Sequence, residues 1–306
     1  MELKKYILSR YTIIKETFQA FIGNNGPKYS AALAYYTIFS LAPMMIIIIW
    51  VGGRFLGEAA IEGKIYDEIK DFIGPSAALQ IQEMIKNVSI YEDDTFATAI
   101  GFGTLFVGAT IVFTEIQDTL NIIWGIKAKP KRGLLKFLTN RLISFSMVIG
   151  IGFLMLVSLG VNALISIFSE FIKGYIGQSY LPLFHILNFL LTFFIITVLI
   201  IFIFKFLPDA KIRWKDVTAG AIATSLLFMV GKFAIGLYLS HTDIASAYGA
   251  AGSLILVLVW VYYSSIILFF GAEFTQVYSR HYGTKIIPRE YAVLIEKKEI
   301  EIENSE

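Results

Sequence analysis

A lysine stands inside one of the most apolar parts of this chain. Lys232 lies within "TAGAIATSLLFMVGKFAIGLYLS". At the centre of a bilayer an ionisable group costs several kcal/mol unless it is paired, snorkels or meets water. On a helix Lys232 shares a face with Ser225, Met229 and Gly236, so that small and polar face is expected to turn into a bundle. Lys232 can then contact an anionic headgroup or act as a gating partner. In the alternative it snorkels outward or bonds a helix-end carbonyl. His185, Asn188 and Thr192 share one face of another apolar run,. Asn162 stands at a similar depth in a third. With Lys232 these groups line an outward-facing cavity in one reading. In the other, the amides and the hydroxyl only tie helices together.

A second set of polar groups stands toward the opposite ends of the runs. Glu115 and Asp118 are three residues apart and share a helix face,. At 1.5 Å per residue Glu115 lies roughly 28 Å from the start of its run, which places it at a membrane boundary. The same count puts Glu273 at or just beyond that boundary. Glu273 shares its face with Ser265, Phe269, Gln276 and Arg280, and that face is expected to meet Glu115 and Arg141. Glu115, Asp118, Arg141 and Glu273 form either a structural latch or an inner gate. The last run opens with Ala245, Gly249 and Ser253, a spacing of small residues that lets helices pack closely.

Other chemistries find little here. The chain has no cysteine, which removes thiolate metal ligands and cysteine nucleophiles,. His185, His241 and His281 are too scattered for a histidine metal motif. No metal, no cofactor and no enzymatic activity are expected. The net charge of +2 is too small to make nucleic acid a main partner. Membrane lipids are the expected partners, and a homo-oligomer is compatible with the packing motif.

The elements that position these groups follow from hydropathy. Of 306 residues, 56% are hydrophobic and 16% charged, and the mean hydropathy is +0.68. That composition belongs to an integral membrane protein. Six runs near residues 31–53, 96–123, 142–168, 183–206, 217–240 and 248–275 reach the roughly 20 residues a spanning helix needs. They are long and continuous, unlike the short alternating strands of a barrel. The expected fold is therefore all-α, a polytopic bundle of six transmembrane helices. Pro43 should kink the first of them.

Charge sets the orientation. Twenty of the 26 Lys and Arg residues fall in the N-terminal stretch, the second-to-third and fourth-to-fifth connections, and the C-terminal tail. The positive-inside rule makes that side cytoplasmic, with both termini inside. An even number of spans agrees with this. No cleavable signal is expected before the first run.

Residues 1–30 form a cytoplasmic amphipathic helical segment. Leu3, Ile7, Tyr11, Ile14, Phe18 and Phe21 recur at helical spacing, with bases between them. Such a helix lies on an anionic leaflet or packs beneath the bundle, and the two are compatible. Residues 31–280 form the membrane domain. Within it, 54–95 is an external, acid-rich loop expected to hold two short amphipathic helices broken at Gly74-Pro75. Residues 281–306 form a charged cytoplasmic tail, whose last stretch "EKKEIEIENSE" is expected to be disordered or frayed helix.

Four stretches carry a resemblance. They are "AALAYYTIFSLAPM" at 31–44, "DTLNIIWGI" at 118–126, "LPDAKIRWKDVTAGAIATSLLFMVGKFAIGLYLS" at 207–240 and "AYGAAGSLILVLVWVYYSSIILFFGAEFTQVY" at 247–278. In this order they resemble the YihY/BrkB family of bacterial inner-membrane proteins, once labelled ribonuclease BN. The likeness covers about residues 10–282. It implies six helices in the bacterial cytoplasmic membrane and links to envelope functions, among them serum resistance and lipid or lipopolysaccharide transport. The ribonuclease label finds no support, because the chain has no His/Asp cluster to hold a water-activating metal. The expected function is a transporter or flippase-like protein for an anionic amphiphile or lipid of the cell envelope. The alternative is a non-transporting scaffold for envelope or secretion partners.

Overall fold

The computed structural model describes residues 2–40, 66, 70, 75, 78–82, 108, 111–129, 181–241, 252–282 and 285–295. Six helices dominate these segments. They are α1 (Glu2–Gly23), α2 (26–40), α3 (111–123), α4 (Leu181–Phe206), α5 (Trp214–His241) and α6 (Gly252–His281). Three of them are long and apolar enough to cross a membrane, over Ile186–Phe206, Trp214–Tyr238 and Leu254–His281. They match the fourth, fifth and sixth expected spans. α2 and α3 begin the first expected span and end the second. The third span, Pro43 and most of loop 54–95 lie outside the described residues. So do Arg141, Asn162, Ala245 and Gly249, and the side chains of His185 and Ser253.

The turn between α1 and α2 is written in "GNNGP". Asn25 takes a left-handed backbone, φ 59°, which asparagine tolerates better than most residues. Its carbonyl accepts the amide of Tyr29 at 3.2 Å, opening α2. Pro27 follows in the first helical turn, where its missing N–H costs nothing.

α5 and α6 cross through a reciprocal clamp. Gly220 and Thr224 on α5 face Thr275 and Gly271 on α6. A Cβ at Gly220 would collide with the Thr275 side chain, and one at Gly271 with the Thr224 side chain. Each threonine hydroxyl donates to the carbonyl four residues back, at 2.7 Å for Thr224 and 2.8 Å for Thr275. The hydroxyls are thus satisfied within their own helices. Small residues let the two backbones approach, which is what holds helices together where lipid removes the usual hydrophobic drive. The outer faces stay apolar and exposed, as at Phe189, Phe194, Phe202, Leu226, Val230 and Phe233.

The loops and tail on the basic side build short ladders. β1 (Ile126–Ala128) pairs antiparallel with β4 (Ala292–Leu294), and β2 (Ala210–Lys211) with β3 (Ile287–Pro288). Bonds from Lys129 N to Tyr291 O and from Ile295 N to Gly125 O, both 2.7 Å, extend the first ladder. Gly125 itself has φ +65°, a turn that suits glycine,. The mostly helical reading thus acquires four short strands. The early part of the tail, expected only as a charged segment, is tied to two loops; "EKKEIEIENSE" lies outside the described residues.

Candidate functional site

The basic end of the bundle is packed solid. Leu120, Trp124, Phe204, Leu207, Val217 and Phe269 are all fully buried there. Trp124 Nε1 donates to Ala272 O at 3.2 Å, and its ring meets Phe204 edge-on with centroids 6.2 Å apart. One hydrogen bond therefore fastens the end of α3 to α6 beside Glu273.

Among the described residues three buried acids belong to this end, Glu273, Asp209 and Asp216. Glu273 is 0% exposed, and Asn24 Nδ2 donates to its Oε1 at 2.7 Å. On the α6 face expected to meet Glu115 and Arg141, Ser265, Phe269 and Glu273 are buried, Gln276 is half-buried and Arg280 is exposed, while Arg141 lies outside the described residues. A partner of Glu273, Asn24, comes from the α1–α2 turn, which the spacing does not single out. Glu115 is half-buried and Asp118 exposed.

The second acid, Asp209, is 2% exposed, and sequence reasoning missed it. Gln117 Nε2 donates to Oδ1 at 3.2 Å and Asn121 Nδ2 to Oδ2 at 3.1 Å. Asn121 Oδ1 in turn accepts the Asp209 amide at 2.9 Å. Gln117 and Asn121 are one turn apart on α3, so both reach one carboxylate. The Asp209 carbonyl accepts the Arg289 amide at 2.9 Å. α3, the α4–α5 connection and the tail therefore meet on one buried acid. Two of the stretches that carry the family resemblance, "DTLNIIWGI" and "LPDAKI", hold its two sides. The end of α4 is finished by bases. Lys205 Nζ donates to Ile212 O and lies 4.9 Å from the Trp214 ring centroid, and Arg289 Nη2 donates to Phe206 O at 3.3 Å. Positive groups suit a helix C-terminus.

Directly behind the packed end lies a cavity of about 330 Å³, lined from α2 to α6. Its position is consistent on every helix. Ile195–Ile203 border it on α4, and Phe204 and Leu207 follow in the plug. Val112 and Ile116 border it on α3, and Leu120 and Trp124 follow. On α6, Val261–Leu268 precede Phe269 and Glu273. The lining is apolar apart from Thr37, Thr224, Ser264 and Ser265. All four hydroxyls donate to a carbonyl of their own helix, at 2.7–2.9 Å. They offer little to a polar ligand, and the space suits hydrocarbon.

Lys232, Thr192 and Asn188 stand one layer farther from the plug. Lys232 is half-buried, one turn beyond the cavity residue Phe228. Thr192 is buried about one turn before Ile195, and Asn188 is half-buried one turn beyond Thr192. Asn188 lies as far before Phe206 as Lys232 lies after Trp214. On two packed helices joined by a short connection, that puts both at one level, roughly 27 Å from the basic end.

The chain matches the virulence factor BrkB family over residues 17–292. A UPF0761 membrane protein of Saccharophagus degradans is 25% identical over 285 residues, 90% of this chain and 61% of that protein. One from Pseudoalteromonas translucida is 28% identical over 248 residues, 79% of this chain and 78% of its own length. One from Mannheimia succiniciproducens is 24% identical over 287 residues, with 90% and 92% covered. The chain spans about half to three fifths of the longer relatives, 48% in a Psychrobacter protein and 60% in one from Azotobacter vinelandii. No solved structure matches.

Proposed function

The chain belongs to the virulence factor BrkB family of membrane proteins, and from that premise we propose that it moves an anionic amphiphile of the cell envelope through the bilayer. The observation that carries this reading is the layering along the bundle. A plug of buried side chains closes the basic end, an apolar cavity of about 330 Å³ lies behind it, and half-buried Lys232 stands beyond. In this reading an acyl chain fills the cavity and Lys232 contacts the acidic headgroup, with Asn188 and Thr192 beside it. The mechanism is non-enzymatic and takes place in the cytoplasmic membrane, with both termini inside. Release then requires the plug to loosen. Glu273, bound to Asn24, and Asp209, bound to Asn121, are the buried polar contacts that such a movement must break.

The test is transport of a fluorescent short-chain phosphatidylglycerol in proteoliposomes. Wild-type protein should accelerate its exchange between leaflets, and Lys232→Ala should slow exchange of the anionic probe more than of a phosphatidylcholine analogue. Exchange no faster than in protein-free vesicles would remove the transporter reading and favour a scaffold.

A further inference from the structure

The surface of α1 divides into three sectors around the helix axis. Ile13, Thr17, Phe21 and Asn24 face the protein, and the first three of these are buried. Thr12, Lys15 and Gln19 are exposed and polar. Between these sectors Tyr11, Ile14, Phe18 and Ile22 form an exposed apolar stripe, with Tyr11 67% and Phe18 60% exposed. A three- and four-residue spacing keeps such a stripe on one side of a helix. The single stripe expected from sequence is therefore two: Phe21 belongs to the buried sector, and Ile22 continues the exposed one.

We propose that this stripe lies among the headgroups and upper acyl chains of an anionic lipid leaflet. Three observations select lipid. First, the buried sector fixes α1 against the basic end of α6. Phe21 meets Phe270 edge-on at 5.8 Å, Asn24 holds Glu273 at 2.7 Å, and Glu16 contacts His281 Nε2 at 2.8 Å. A bilayer that holds α4, α5 and α6 has its boundary near this end, so the stripe stands at headgroup level. Second, the charge is complementary. Lys15 is exposed beside the stripe and Lys28 is exposed just after the turn, and the same helix carries Lys4, Lys5 and Arg10. Bases along an interfacial helix attract anionic lipid. Third, Tyr11 in the stripe and Tyr282 at the end of α6 are both exposed, the ring type that gathers at membrane interfaces,. The proposal needs only a membrane protein and stands whether or not transport occurs.

The absence of cysteine makes the test direct. Phe18→Cys and Gln19→Cys are each nitroxide-labelled in the full chain and reconstituted into phosphatidylcholine vesicles, with or without phosphatidylglycerol. With phosphatidylglycerol, the label at 18 should become several-fold more accessible to oxygen than to a water-soluble nickel chelate. The label at 19 should keep its nickel accessibility. Ile14→Cys should repeat the result at 18, which guards against one variant misfolding. Lys15→Gln with Lys28→Gln should weaken the dependence on phosphatidylglycerol. Nickel accessibility at 18 in both vesicles would overturn the proposal, as would equal shielding in neutral vesicles. Dipolar broadening between labels at 18, the sign of a second copy covering the stripe, would also overturn it.

Discussion

Asn24 and Glu273 are 249 residues apart in the chain and joined by a 2.7 Å hydrogen bond. The bond ties the turn that leads into the bundle to the end of its last described helix. Glu273 is fully buried, so its carboxyl has given up water, and Asn24 supplies a donor to its Oε1. Removing a donor from such a group costs about 1–3 kcal/mol. Asn24→Ala should therefore lower the apparent melting temperature in detergent, read by intrinsic fluorescence. Glu273→Gln, which keeps an acceptor for Asn24, should lower it less than Glu273→Ala. Unchanged melting in Asn24→Ala together with faster lipid exchange would make this contact a gate and not a latch.

The Asn121–Asp209 pair makes a different prediction, because it also holds the tail. Asn121→Ala deletes both of its bonds to Asp209. Asp209→Asn keeps the shape but turns an amide donor toward other amide donors, so it should be nearly as harmful. Each should destabilise by about 1–3 kcal/mol and loosen the Arg289 segment. Limited trypsin digestion reads this locally: cleavage after Lys285 and Arg289 should speed up before the bundle itself is cut. Tail cleavage at the wild-type rate would mean that the ladders alone retain the tail.

The spans were readable because burial in lipid demands a long, continuous apolar run, and α4, α5 and α6 supply it. Which residues share a face with Glu273 is readable for a related reason, since helical spacing is local. The partners were not. Asn24 looks like turn chemistry in "GNNGP", Asp209 like one acid in a basic loop, and Gln117 and Asn121 like ordinary polar residues near a helix end. Nothing local in sequence links positions 88 or 249 apart. The strands were invisible as well, because two or three residues carry no periodic signal. The small-residue ladder at 245–253 is legible in its spacing. Ala245 and Gly249 lie outside the described residues, and the clamp among the described ones is "GAIAT" against "GAEFT", in which threonine takes the place of the second small residue.

That clamp predicts asymmetric tolerance. A leucine at Gly220 or Gly271 must push the facing threonine and the opposed backbone apart. Overpacking of this kind costs about 1–3 kcal/mol, sometimes more. Gly271→Leu should give an aggregated profile in size-exclusion chromatography, or a clear fall in melting temperature. Thr275→Ser removes only a methyl group and keeps the hydroxyl bond to Gly271 O, so it should be mild. Equal behaviour of the two variants would mean that the helices do not approach closely here.

The cavity allows a test that separates occupancy from stability. Ser264 lines it, and its hydroxyl serves only its own helix in the bond to Trp260 O at 2.9 Å. Ser264→Trp puts an indole into about 330 Å³ of apolar space, so the added bulk has somewhere to go and the fold should survive. If an acyl chain must enter that space, lipid exchange should drop by about tenfold or more, equivalent to at least about 1.4 kcal/mol on the barrier. Val230→Trp is the control, because Val230 is 68% exposed on the outer face. It adds the same indole outside the cavity and should leave exchange near wild type. Melting temperature recorded on both variants separates a blocked cavity from a damaged bundle. Full exchange by a stable Ser264→Trp protein would take the acyl chain out of this cavity.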